Sequence, residues 1–371
     1  MTTTRQRILF VIGGLGTGGA ERQLLELASG LDPERFEPLV CALEAGYEFS
    51  EAFAQRGVRV RELPRKGTWD WSRLTGLRSL VREVQPAVVH AFLASPALYA
   101  RLATVGLPER IPVIVSERTV LPYPAYIRIA GWLLCHRCDC FVANAEAVRA
   151  SLLRWVWPQR PRVEVIHNGF DVDAIASRGS RLEIRDALGW GDETVLLCVG
   201  RLTDAKDFPT LLAAFEQLST RPGLRLAIAG EGSERGWIER EMRKRGLRVT
   251  LLGLRKDVPD LLRAADLFVL SSKVEGFPNV LGEALAAELP VAATAAGGVP
   301  EVVRDGLDGR VVPVGDAAGF ADAIAELLDD PEHAREMACT GARRVKEEFS
   351  LEAMVERTQQ LYRSLLATRS R

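Results

Sequence analysis

The sequence predicts two doubly wound α/β domains, and three observations support that reading. Short β-rich apolar runs alternate with longer segments of helical period along the whole chain. The runs read as strands buried on both faces, which is the habit of a parallel sheet covered by helices. The rhythm pauses once, after His167-Asn168-Gly169-Phe170, and then restarts. A length of 371 residues is too much for one ordinary core and suits two domains of about 150–200 residues each.

In the first half, strands are expected at 8–12, 37–41, 58–62, 87–90, 113–115, 140–143 and 163–166. Helical periodicity separates them at 20–29, 72–84, 96–104 and 145–155. A turn-forming Asn168-Gly169 marks the junction, and the polar, Gly- and Arg-containing stretch 171–191 interrupts the pattern. Strands then resume at 195–199, 225–229, 249–251, 267–270, 291–293 and 311–312. Two further helical segments follow the last strand, and 351–367 closes the chain as a strong helix. The architecture recurs without any underlying sequence repeat.

Hydrophobic residues at 47% and charged residues at 26% suit a soluble globular protein and exclude extensive disorder. Lys+Arg 48 against Asp+Glu 49 gives a net charge of −1, which disfavours nucleic acid or any general polyanion as partner. The balance is uneven: residues 1–170 carry +5 and residues 171–371 carry −6. A basic first half is compatible with an anionic partner or membrane surface. No run of 18 apolar residues predicts a spanning helix. The apolar stretch at 8–12 is too short for a signal peptide and runs into glycines. Six irregularly spaced cysteines read as reduced buried thiols, so the expected compartment is the cytoplasm.

Open α/β sheets bind ligands outside the carboxyl ends of their strands, so functional residues are sought there. Gly13-Gly14-Leu15-Gly16-Thr17-Gly18-Gly19-Ala20-Glu21 follows the first strand and opens a helix. Glycines admit close backbone approach to an anion, and a helix N-terminus offers free N–H groups. Gly14-x-Gly16-x-x-Gly19 also satisfies the dinucleotide fingerprint, which makes an NAD-dependent oxidoreductase the alternative enzyme class. A structural tight turn is the plainer explanation of the loop. The absence of a Gly-Lys-Ser/Thr ending disfavours a P-loop.

Two cations, Arg201 and Lys206, flank the turn Gly200–Asp207 after the strand at 195–199. Arg grips a pyrophosphate bidentately and Lys as a point charge. Only six lysines occur against 42 arginines, so a lysine here runs against the chain's habit, although a solvated surface turn explains it too. After the strand at 267–270 comes Ser271-Ser272-Lys273-Val274-Glu275-Gly276-Phe277-Pro278-Asn279-Val280-Leu281-Gly282-Glu283. Glu275 lies in the loop and Glu283 one turn into the following helix, so both can accept from a polyhydroxyl ligand. Gly276 and Pro278 shape a loop able to aim N–H groups at an anion.

Gly200-Arg201-Leu-x-x-x-Lys206, Glu275-Gly-Phe-Pro-Asn-x-x-x-Glu283 and Ala296-Gly-Gly-Val-Pro-Glu301 resemble the C-terminal half of retaining glycosyltransferases of family 4. Gly18-Gly19-Ala20-Glu21 and Ile166-His-Asn168-Gly169-Phe-Asp171 resemble that family's N-terminal loop and domain junction. The resemblance covers almost the whole chain, its C-terminal motifs being the more specific. It implies a GT-B fold of two Rossmann-like domains facing across a cleft. Residues 1–170 would bind the acceptor, 171–350 the nucleotide-sugar, and 351–371 would cross back to the first domain.

Carried over residue by residue, the resemblance gives Arg201 and Lys206 to the donor diphosphate and Glu275 to the sugar hydroxyls. Phe277, Pro278, Asn279 and Val280 line the sugar–phosphate site, partly through backbone. Glu283 holds the ribose, Arg255 the nucleobase, and Gly18 and Gly19 approach the phosphate or acceptor from the other domain. The implied reaction is retaining transfer from a UDP- or GDP-sugar to a glycan or lipid-linked acceptor, with no cofactor and no metal, in polysaccharide or glycolipid synthesis.

One departure stands out. Many members carry a histidine where this chain has Val115-Ser116-Glu117-Arg118-Thr119. Glu117, with Arg118, is one candidate for its role and His90, at the end of another strand, is the second. A hydrogen-bonded structural histidine is the plainer reading of His90. Asp171-Val172-Asp173 and Cys135-His136-Arg137-Cys138-Asp139-Cys140 look formally metal-binding, but each lacks further ligands. Residues 121–134 mix aromatics, aliphatics and Arg128, and read equally as a core-facing helix or as an interfacial patch for a lipid-linked acceptor. The second reading places the protein peripherally on the inner face of the membrane.

Overall fold

A computed structural model describes residues 5–16, 18–46, 49–63, 71–120, 123–156, 162–176 and 180–369. Two compact units result: residues 1–169 with 351–371, and residues 170–350. Thirteen strands form two all-parallel sheets among these residues.

The strands of the first unit are β1 (Gln6–Ile12), β2 (Phe36–Ala42), β3 (Arg59–Glu62), β4 (Val88–Phe92), β5 (Val113–Glu117), β6 (Cys140–Ala143) and β7 (Val163–Val165). Their order is β3-β2-β1-β4-β5-β6-β7. Alternate side chains of β1 feed two cores. Ile8, Phe10 and Ile12 pack with Leu24, Phe36 and Tyr362, while Leu9 and Val11 pack with Leu77, Leu80 and Ala97. A strand buried on both faces needs an unbroken apolar run, which is why 8–12 could be read from sequence. Each such side chain contributes roughly 1.5–3 kcal/mol on burial.

The helix Leu351–Arg369 completes this unit although it follows the whole of the other. Tyr362 is fully buried, its hydroxyl 2.7 Å from His90 Nδ1. Gln359 Oε1 accepts from the Asp32 amide at 2.9 Å. Gly30 makes room for Val355, whose methyl lies 2.8 Å from where a Cβ would stand.

The second unit holds β8 (Thr194–Val199), β9 (Leu224–Ala229), β10 (Val249–Gly253), β11 (Leu267–Leu270), β12 (Val291–Thr294) and β13 (Arg310–Val312), in the order β10-β9-β8-β11-β12-β13. Relative to the first strand of each unit, both sheets reverse direction between the first and fourth strands, the Rossmann pattern. The topological switch points therefore lie between β1 and β4 and between β8 and β11.

The stretch 171–191, expected as an interruption, contains the helices Val172–Ala176 and Arg181–Leu188. Arg185 misled the sequence reading. It is 7% exposed and binds the carbonyls of Gly191 and Ala264 and the carboxylate of Asp266. The helix Ala125–Leu133 has no buried residue, so of the two readings of 121–134 the core-facing one is set aside; residues 121 and 122 lie outside the described set. Among the described residues, no helix is long and apolar enough to cross a membrane. All six cysteines are free thiols, five of them buried.

Candidate active site

Two of the three sequence motifs of the second unit fall at its switch point. The Arg201–Lys206 turn leaves β8 and the Glu275 loop leaves β11, its neighbour in the sheet. The two loops are stitched together: Lys273 N donates to Ala205 O at 2.8 Å and Ser271 Oγ to Lys206 O at 2.8 Å. Lys206 Nζ lies 2.6 Å from Glu275 Oε1, with side chains only 17% and 13% exposed. Ser272 Oγ donates to the same oxygen at 2.6 Å, and the Ser272 carbonyl accepts from Thr294 Oγ1 at 2.7 Å. The lysine and the loop glutamate thus form one half-buried ion pair with a fixed hydroxyl donor.

Glycines permit this closeness. Gly200 leaves room for the Lys206 stem, whose Cε would be 2.8 Å from a Cβ at that position. Gly297, at φ +52°, sits so close to the Glu275 carbonyl that a Cβ would stand 1.9 Å from its oxygen. Gly298 N donates to Gly276 O at 3.0 Å. The third motif, residues 296–301, therefore braces the second.

Sequence reasoning passed over one more loop. Gly230 and Gly232, following β9, have φ of +147° and +157°, and their backbones lie against the carbonyls of Gly200 and Leu202. Leu202 N donates to Glu231 O at 2.9 Å and Glu234 N to Leu202 O at 2.8 Å. Two glycines two residues apart just after a strand were the available signal. Ser272 was also missed, since a serine in a polar loop carries no mark of its own.

The remaining residues of this unit separate by environment. Arg201 is exposed and makes no side-chain bond among the described residues, so its guanidinium is available to an anion. Glu283 is 5% exposed on the helix Asn279–Ala286. Pro278 caps that helix, and Asn279 and Val280 begin it with partial exposure. The Phe277 ring is not turned outward: it stacks on Phe170 at 6.3 Å and meets Phe349 edge-on at 5.3 Å, leaving the backbone as its contribution. Gly282 accommodates the same cluster, the Phe170 ring lying 2.3 Å from where a Cβ would be. Arg255 donates to Asp257 Oδ1 at 2.8 Å; that hydrogen bond raises its pKa.

In the first unit the structure gathers residues that the sequence offered separately. Arg118 bonds Asn168, lies over the Phe92 ring at 5.5 Å and interacts with Glu21 of the Gly-rich turn. Burial draws its pKa down to about 10, opposed by Glu21. Gln23 pins Gly169 twice, donating to its carbonyl at 2.9 Å and accepting from its amide at 3.0 Å. Gly18 caps the helix Gly19–Gly30, and a Cβ on it would meet the Glu21 carboxylate at 2.2 Å. Leu93, directly after β4 at the switch point, has φ +72° and ψ 158°, a conformation seldom adopted outside glycine.

Glu117 and His90 differ sharply. Glu117 accepts from Tyr123 Oη at 2.9 Å. Burial pushes its carboxyl up to about 7, with the Tyr123 bond and Arg101 pulling it back. It is poised to hold or release a proton near neutrality. His90 is 1% exposed, with Nδ1 at 2.7 Å from Tyr362 Oη and Nε2 at 2.8 Å from Ser116 Oγ. Burial and Arg118 lower its pKa to about 3. The geometry does not offer this histidine to a ligand: it matches the structural reading rather than the catalytic one. Asn144, just after β6, is 2% exposed, and its Oδ1 accepts no hydrogen bond among the described residues.

The side chains of the formally metal-like motifs are engaged in other contacts or buried. Asp171 Oδ1 accepts from Ala174 N at 2.9 Å and Asp173 pairs with Lys346 at 3.1 Å. Cys135, Cys138 and Cys140 are buried and burial raises all three thiols. Among the described residues no group of three or more candidate ligands is found.

Residues 17–174 match the model of Glycosyltransferase Family 4, and residues 180–344 that of Glycosyl transferases group 1. The chain is 31% identical over 310 residues to a D-inositol 3-phosphate glycosyltransferase of Mycolicibacterium smegmatis, covering 81% of this chain and 67% of that protein. It is 32% identical over 355 residues to a glycogen synthase of Mycobacterium tuberculosis, covering 91% and 79%. A Campylobacter jejuni N-acetyl-D-galactosaminyltransferase, named for an undecaprenol-diphosphate-linked acceptor, is 26% identical over 92% of this chain and 94% of its own. Among solved structures, Anabaena HepE in complex with UDP-glucose superposes with a TM-score of 0.87 at 22% identity, over 97% of this chain and 100% of that one. That likeness shows the GT-B fold, and the relatives show the activity class, displacing the oxidoreductase alternative. The chain is a glycosyltransferase and belongs to glycosyltransferase family 4.

Proposed function

We propose that the protein transfers a sugar from a UDP-sugar to a glycan or lipid-linked acceptor, with retention of anomeric configuration and without a metal. The observation that carries this reading is the Lys206–Glu275 pair beside exposed Arg201 at the β8/β11 switch point. Breaking a sugar–phosphate bond develops positive charge on the ring and negative charge on the leaving diphosphate. Arg201, Lys206 and the backbone N–H groups of Phe277, Asn279 and Val280 answer the negative charge. Glu275, already held by Lys206 and Ser272, presents its other oxygen to sugar hydroxyls. Glu283 takes the ribose and Arg255 the base. The diphosphate oxygen accepts the acceptor proton in a front-face attack, so no enzymic nucleophile is needed.

Residues 170–350 are assigned to the donor in this reading. The first unit, with Gly18, Gly19 and Glu117, is assigned to the acceptor, and Asn144 Oδ1 is an acceptor-side hydrogen-bond site. His90 is assigned to holding Ser116 and Tyr362. UDP is preferred over GDP because the similar HepE structure is described with UDP-glucose. Thermal shift with UDP, GDP and NAD, followed by a donor-hydrolysis screen with and without EDTA, tests the reading. Stabilisation by UDP and EDTA-resistant hydrolysis are expected; stabilisation by NAD alone would reject it. Anomeric NMR of the product tests retention.

A further inference from the structure

We propose that the outward face of the helix Ala125–Leu133 docks the first unit onto an anionic phospholipid surface. The helix is apolar nearly all round, its one charged residue being Arg128. Such a helix is normally buried, yet this one has no buried residue.

Its inner face, Ile127, Ala130 and Gly131, is half-covered, and buried Arg101 ties it down by donating to the Gly131 carbonyl at 3.0 Å. Helical spacing puts Tyr126, Ile129, Trp132 and Leu133 on the opposite arc. These are 71%, 59%, 42% and 56% exposed. The helix is therefore anchored on one side and leaves a continuous apolar stripe on the other.

Charge identifies the occupant. Residues 118–138 contain no Asp or Glu, while Arg128 on the helix and Arg137 in the turn after it are exposed. Interleaved Trp, Tyr, Leu and Arg without carboxylates is the composition that settles into the headgroup region of an anionic bilayer. A second protein fits less well. Nine residues make a helix about 14 Å long, and one face of it falls well short of the roughly 800 Å² per partner of a stable protein interface.

Vesicle co-sedimentation of the full chain tests this without any donor, so its outcome is independent of the reaction proposed above. Binding to phosphatidylcholine vesicles containing phosphatidylglycerol, weakened by salt, is expected, with little binding to phosphatidylcholine alone. The triple variant Ile129→Ser, Trp132→Ser, Leu133→Ser should bind at least about tenfold more weakly, with donor hydrolysis unchanged. Arg128→Gln should narrow the preference for phosphatidylglycerol. If the triple variant does not fold, Trp132→Ser alone carries the test. Equal binding by wild type and variants, no binding by wild type, or a wild-type oligomer that the triple variant dissolves while vesicle binding persists, would each overturn the proposal.

Discussion

Replacing Lys206 by alanine separates the two roles the structure gives it. The ammonium lies 2.6 Å from Glu275 Oε1 and both side chains are largely covered. Removing it leaves that carboxylate with the Ser272 hydroxyl as its remaining side-chain donor. Breaking a fully buried pair costs about 3–5 kcal/mol, and partial exposure plus the serine reduce this to about 1–3 kcal/mol. For a unit of this size that is a melting-temperature loss of roughly 2–10 °C. Turnover should suffer more: losing one aimed electrostatic donor costs about 2–4 kcal/mol of transition-state stabilisation, a fall in kcat/KM of about 30- to 1000-fold. Nucleotide release from the donor reads the second effect and calorimetry the first. Glu275→Gln should keep much of the stability and still lose turnover. Wild-type turnover in a folded Lys206→Ala protein refutes the diphosphate assignment, because the pair would then be a structural bridge alone.

Other outcomes follow from the same geometry. Arg201→Ala, in which an exposed and uncommitted guanidinium is lost, should cut kcat/KM by a similar factor with no change in melting temperature. Gly297→Ala should abolish most activity and destabilise, because its Cβ would strike the Glu275 carbonyl; Gly189→Ala, also at positive φ (+65°) but facing open space, should cost only about 1 kcal/mol and spare turnover. Glu117 has a folded pKa near 7 against an ordinary 4.5, so its contribution to stability is present at low pH and is lost as pH rises through 7. Glu117→Gln should therefore gain stability relative to wild type between pH 5 and pH 8, by an amount on the order of 3 kcal/mol, read as a rising melting-temperature difference. His90 works in the opposite sense: its folded pKa near 3 means stability is lost as pH falls below its ordinary 6.5, and His90→Gln should flatten that limb in the same melting series.

The strands were legible because burial on both faces leaves a simple trace, an apolar run ended by glycine or a polar turn. The inner strands are centred on such runs, whereas β3, Arg-Val-Arg-Glu, is largely exposed and β7 is only half-buried. The helices at 172–176 and 181–188 were not legible; in the second, Arg185 sits inside and is satisfied partly by the Ala264 carbonyl, distant in sequence. The convergence of Lys206 and Glu275 could be anticipated from their places after strands, but Ser272 and the Gly230/Gly232 loop needed coordinates, because their significance is the neighbour they touch. His90 illustrates the reverse limit. A histidine at a strand end looks the same in sequence whether it faces a ligand or a tyrosine 272 residues away.

The helix Leu351–Arg369 has a consequence for how the polypeptide matures. Residues 170–350 are continuous in sequence and can close as soon as they leave the ribosome, whereas the first unit waits for the helix made after them. Until Tyr362 arrives, the apolar side of β1 and the imidazole of His90 lack their cover. The unit that holds β1 is thus finished after the one that follows it, and a nonsense mutation ahead of Tyr362 would damage a sheet encoded far upstream.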